Sequence, residues 1–268
     1  SSTFVPSVVS RRMFARSRPL LALMSPSPAK LARHGGGNRE TWIHMNAAGC
    51  APVAAETHAA LVSHLELEQK IGGYAAKARS TSDARSPIAR LLGCDAEEIA
   101  LVDSAQAAWS RAFYSLDFRA GDRVLCFESE YAGNAVAYLQ MAKRTGVSLQ
   151  VLPMCGDGIA DLRALEEALR SPPVAATQSG QRGRVLVALT HVQTDSSIVQ
   201  PAARVGALCA NYDALFLLDS CQSVGQMPVN VRSIGCDFAC GTGRKWLRGP
   251  RGTGFLYARR ETMHRTGG

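Results

Sequence analysis

Two rhythms of apolar and polar positions follow one another along this chain. Short apolar runs at 99–102, 123–127, 185–189 and 215–218 end at polar or glycine residues. That length and continuity suit strands buried on both faces. Shorter or more mixed runs at 148–152, 238–240 and 254–257 extend the strand series. Between the strands, residues 54–70, 82–92, 105–116, 133–144, 161–170 and 201–211 read as helices. Gly93 stops the second of them and Pro201 stands in the first turn of the last. Such alternation predicts an α/β domain with a mostly parallel sheet covered by helices on both faces. No internal repeat is present, and 171–183, with Pro172-Pro173 and many polar residues, reads as a mobile surface insertion.

In sheets of this kind ligands bind beyond the carboxyl ends of the strands, so the residues that follow each run are the site candidates. The run 215–218 ends in Asp219, with Gln222 three residues on. Lys245 follows in the glycine-rich stretch Gly241-Thr242-Gly-Arg244-Lys245. A strand-end carboxylate and a surface lysine are each unremarkable alone. Together they supply what pyridoxal 5'-phosphate (PLP) requires: an amine for its aldehyde, a carboxylate against its pyridine nitrogen, and polar groups near its phosphate. Thr242 and Arg244 offer a hydroxyl and a guanidinium to that phosphate, and Gln222 a donor to the ring's phenolic oxygen. After Val102, Asp103-Ser104-Ala105-Gln106 enters a helix whose first amides form a second phosphate seat. A plain helix cap by Asp103 or Ser104 explains the same residues.

Asp219-Ser-Cys-Gln222-Ser-Val-Gly225, Thr242-Gly-Arg244-Lys245 and Gly249-Pro-Arg-Gly-Thr-Gly254 stand in order, and this set resembles the class V aminotransferase family. The resemblance covers roughly residues 41–260. The family includes cysteine desulfurases, selenocysteine lyases, isopenicillin N epimerase-like proteins and the lyase of ergothioneine synthesis. It implies the large domain of the aspartate aminotransferase-like, PLP-dependent transferase fold. It also implies that Tyr131 stacks on the cofactor ring, where desulfurases generally place a His. Thr194 falls where desulfurases have Asn, and the resemblance gives it a hydrogen bond to the phenolic oxygen or the substrate. Gln106 replaces the threonine of the family's Gly-Ala-Thr-Glu turn. Asn46, Ala47 and Ala48 match the small-residue turn lining the substrate pocket. His191 reads as a structural strand-end histidine outside the site.

Charge changes the picture only at the amino end. The formal net charge is +8, but Arg11, Arg12, Arg16, Arg18, Lys30, Arg33 and Arg39 precede the first acidic residue, Glu40. The remainder is close to neutral, which excludes a nucleic-acid reading of the basic pI. The Ser-, Arg- and Pro-rich leader 1–39 reads as a disordered tail or an organellar transit peptide. No segment is apolar over a bilayer's length, so no membrane partner is expected. Eight cysteines without C-x-x-C or Cys/His spacing predict reduced thiols, no metal site, and a cytoplasmic or organellar matrix setting.

The domain is therefore expected to span 40–268, with PLP as cofactor, an amino acid as substrate and a homodimer as the full-length assembly. The resemblance implies a further small domain, so the chain is expected to be a truncated form. Lys245 is the expected catalytic base. C–S lyase or desulfurase-type chemistry is the first expectation, an aminotransferase or epimerase the second, and an inactive PLP-fold protein the third.

Overall fold

The computed structural model describes residues 43–80, 83–171 and 183–266. The leader 1–39 and the body of the expected insertion lie outside the described residues. Compact packing begins at Asn46.

The strands are β1 (Ile99–Val102), β2 (Arg123–Phe127), β3 (Ser148–Leu152), β4 (Val185–Thr190), β5 (Leu215–Asp219), β6 (Phe238–Thr242) and β7 (Gly254–Ala258). They form one sheet in the order β1-β7-β6-β5-β4-β2-β3. The block from β3 to β6 is parallel, and β7 runs antiparallel to both β6 and β1. The helices are α1 (Ala47–Cys50), α2 (Ala55–Ile71), α3 (Gly73–Arg79), α4 (Arg85–Leu92), α5 (Ala105–Tyr114), α6 (Ala132–Thr145), α7 (Leu162–Arg170), α8 (Ala202–Asn211), α9 (Val231–Ile234) and α10 (Arg260–Thr266).

The unbroken apolar runs mark strands covered on both sides. Every residue of β2, β5 and β6 is buried. Because successive side chains point to opposite faces, Leu125, Phe127, Val187, Leu189, Phe216 and Leu218 share one core with Leu165 of α7 and Val205 of α8. The other face carries α5, which packs on β6 and β7, and a stack of Trp109, Phe113 and Tyr138. Gly93 ends α4 in the left-handed conformation, as expected of a stop residue. Pro201 differs from expectation: it is the N-cap that precedes α8, outside the first turn. The pieces not anticipated (α1, α3, α9, α10 and a 3-10 turn at Ala96–Glu98) run from three to seven residues, too short for a period to register. Among the described residues no helix is long and apolar enough to cross a membrane.

Candidate active site

Two adjacent parallel strands place the central groups. β5 ends in Asp219, whose register partner on β6 is Cys240, and the loop leaving β6 carries Arg244 and Lys245. Gly225 holds the turn after β5 against that loop: its φ is +96°, and a Cβ there would meet the Trp246 carbonyl carbon at 2.7 Å. Gly254 does the same for α5, since a Cβ would meet Ser104 C at 2.7 Å. These close approaches draw four segments around one cleft. It is lined by Ser104, Ala105, Gln106, Tyr131, Thr194, Asp219, Gln222, Thr242, Arg244 and Lys245, all expected at the cofactor from the sequence.

Asp219 is held at both oxygens. Oδ1 accepts from the Cys221 N–H at 3.0 Å and Oδ2 from Asn134 Nδ2 at 3.2 Å. Lys245 is only 8% exposed, yet it lines the cleft, and its amine makes no hydrogen bond or ion pair among the described residues. The amine is thus left to a ligand in the cleft. Tyr131 is the N-cap residue of α6 and is half exposed at the cleft.

At the other end of the cleft Ser104 caps α5, its Oγ accepting from Ala107 N–H at 3.1 Å. The cap explanation of Ser104 therefore holds, and Asp103 lies outside, 3.9 Å from Arg111. Ala108 N–H bonds the Ser104 carbonyl, so helix geometry leaves the Ala105 and Gln106 amides to an acceptor from outside. Thr242 differs from expectation: Oγ1 donates its one proton to the Thr253 carbonyl at 3.2 Å and has none left for a phosphate. Arg244 lines the cleft while its guanidinium donates to the Gly49 carbonyl.

Gln222 differs from expectation. Its amide donates to the Ala48 carbonyl at 3.1 Å and to Thr194 Oγ1 at 3.0 Å, and its oxygen accepts from Trp246 Nε1 at 2.8 Å. Both amide hydrogens are thus engaged, and Gln222 orients Thr194 at the cleft. Asn46 caps α1 by accepting from Gly49 N–H at 2.9 Å. Asn46, Ala47 and Ala48 do not line the cleft; the turn they form is tied to it through Gln222 and Arg244. His191 is buried, bonded through Nδ1 to Ser223 Oγ at 3.0 Å, and burial lowers its pKa to about 4.

Two features at the site escaped sequence reasoning. Cys221 and Cys240 lie beside Asp219, the ligand-type atoms of all three within 4.8 Å of one another. The hydrogen bond from Cys240 pulls the Cys221 pKa down, but burial and Asp219 hold it above the usual thiol value; Cys240 is raised further by that bond and by burial. Both thiols stay protonated and behave as small packed groups. The second is Glu130, which accepts from Asn134 Nδ2 at 3.2 Å and from Tyr138 Oη at 2.9 Å. Burial pushes its carboxyl above the ordinary value, and Asp219 adds to the rise.

Comparison with known proteins identifies the family. The profile of the family described as "Aminotransferase class-V" matches residues 58–267. A probable cysteine desulfurase of Methanothermobacter thermautotrophicus is 32% identical over 189 residues, covering 69% of this chain and 44% of the relative. One from Xylella fastidiosa is 33% identical over 183 residues, covering 67% of this chain and 41% of the relative. The chain thus spans less than half the length of these two relatives. Among solved structures, the apo cysteine desulfurase of Thermococcus onnurineus NA1 aligns with a TM-score of 0.60 at 26% identity, over 67% of this chain and 42% of that one. The cystine C–S lyase C-DES, in complex with cysteine persulfide, aligns with a TM-score of 0.72 at 23% identity, over 82% and 57%. At that identity the likeness is one of fold.

Proposed function

The chain belongs to the class V aminotransferase family, and on that premise we propose that its cleft holds PLP and serves C–S bond cleavage in a sulfur-bearing amino acid. The observation that carries this reading is Lys245: a mostly buried residue whose amine has no partner among the described residues, in the same cleft as the tethered carboxylate of Asp219. The residues present fit the cofactor. In this reading Lys245 Nζ would bond its aldehyde, Asp219 would keep a proton on its pyridine nitrogen, and Tyr131 would cover its ring. The Ala105 and Gln106 amides suit its phosphate.

When bound, PLP supplies an electron-poor ring that draws charge from the α-carbon of an amino acid joined to it. The chain's own contribution is proton handling and orientation. Asp219, fixed from both sides, keeps its charge aimed at one point. Lys245 Nζ takes the α-proton as general base and can return it elsewhere on the substrate. Thr194, oriented by Gln222, offers a hydroxyl at the mouth of the cleft.

The substrate class is supported by the two relatives described as probable cysteine desulfurases. Tyr131 in place of His leaves Lys245 as the principal proton carrier, which favours elimination with release of the sulfur. The protein is proposed to be a homodimer in a reducing compartment, cytosol or organelle matrix, in keeping with its free thiols. The chain is incubated with PLP and then with cysteine, and pyruvate, alanine and sulfide are measured. A visible cofactor band lost in Lys245→Ala, with pyruvate and sulfide formed together, is the expected result. A band without release of sulfur in any form would remove the C–S assignment while keeping the cofactor.

A further inference from the structure

The polar cluster behind Asp219 is not used by the reading above. Asn134 is 1% exposed, and its single amide nitrogen serves two carboxylates: Nδ2 donates to Asp219 Oδ2 at 3.2 Å and to Glu130 Oε1 at 3.2 Å. Glu130 takes three more donors. They are Tyr131 N–H at 2.7 Å, Thr190 Oγ1 at 2.6 Å and Tyr138 Oη at 2.9 Å. The donors come from the start and middle of α6 and from the end of β4, so the carboxylate is pinned from several sides. Four donors stabilise its charged form. No arginine or lysine pairs with it among the described residues.

We infer that Glu130, acting through Asn134, is a positioning residue for Asp219, and that the two carboxylates together make the cleft selective for a ring nitrogen bearing a proton. This rests on the PLP reading. Asn134 fixes one oxygen of Asp219 and the Cys221 amide fixes the other, so the carboxylate cannot swing away from the ring. Glu130 adds a second negative charge one amide group further back. Neither carboxylate has a cationic partner among the described residues, and a protonated heterocycle in the cleft supplies it. The rise in the Glu130 pKa, from burial and from Asp219, agrees with a missing counter-charge.

A merely structural Glu130 would tie α6 to β4 and be indifferent to which ring is bound. The two roles separate on a pair of ligands: PLP, and its 1-deaza analogue, in which carbon replaces the ring nitrogen. Dissociation constants for both are measured by fluorescence titration of the full chain. Glu130→Gln is expected to weaken PLP about tenfold and the analogue less than about twofold, a charge-specific loss. Tyr138→Phe keeps the ring packed on Trp109 and Phe113 but removes one donor to Glu130, so it reports even where Glu130→Gln fails to fold. Its expected loss is about threefold, again confined to PLP. Equal losses for the two ligands, or none for either, overturn the inference and leave the cofactor reading standing. A wild-type chain that binds neither ligand overturns both.

Discussion

The two ends of the cleft are built in opposite ways. At the ring end the charged groups are already bonded within the protein: Asp219 by Asn134 and Cys221, and Glu130 by four donors. At the phosphate end the donors are left open, with the Ala105 and Gln106 amides at the start of α5 and little side-chain charge committed to the cleft. The ring end therefore orders a carboxylate before any ligand arrives, while the phosphate end draws its pull from backbone geometry. Preorganisation on one side and open amides on the other suit a ligand with a cationic ring and an anionic tail.

Asp219→Asn strikes the ring end hardest. It removes the charge and turns one bonded oxygen into a donor facing Asn134 or the Cys221 amide. PLP affinity is expected to fall about a hundredfold, close to 3 kcal/mol, measured by titration. Pyridoxal, which lacks the phosphate, should lose affinity by a similar factor. A loss confined to PLP would break the assignment of the two ends.

His191 tests the support under β4, between the two ends. Its folded pKa of about 4 lies below the unfolded value of 6.5, so the native state binds fewer protons in that interval. Its contribution is fully present above pH 6.5 and is lost as pH falls through about 4, at most about 3 kcal/mol. Denaturant titrations across that window should show the wild type losing stability more steeply than His191→Asn. Parallel slopes would contradict the burial of a neutral imidazole.

The smallest effect belongs to the phosphate end. Ser104→Ala removes the cap on α5 and should cost about 1 kcal/mol of stability. PLP should weaken modestly while pyridoxal binding stays unchanged, a contrast read from the two dissociation constants. Equal weakening of both would mean that the helix start does not face the phosphate.

The sheet was legible because its strands announce themselves: Leu215-Phe-Leu-Leu and Val185-Leu-Val-Ala-Leu have no polar face to obscure. The alternation with helices then forced a parallel, two-sided architecture, which the structure has. Asp219 and Lys245 were legible because each follows an apolar run at a strand's carboxyl end. Glu130 was not. In Glu128-Ser-Glu130-Tyr131 nothing local separates the exposed first glutamate from the second, which is partly buried and bonded only when β4 and α6 come together around it. The available signal was spacing, since Asn134 and Tyr138 lie four and eight residues on, along one helical face. Gln222 misled for a related reason: its place in the cleft was readable, but its bonds to Ala48 and Trp246 come from segments remote in sequence.

The most direct measurement is borohydride reduction of the full chain incubated with PLP, followed by proteolysis and peptide mass mapping. A reduced cofactor fixed on the peptide carrying Lys245, and absent from it in Lys245→Ala, is the predicted result. Cofactor fixed to other lysines while Lys245 stays unmodified would contradict the assignment of this cleft.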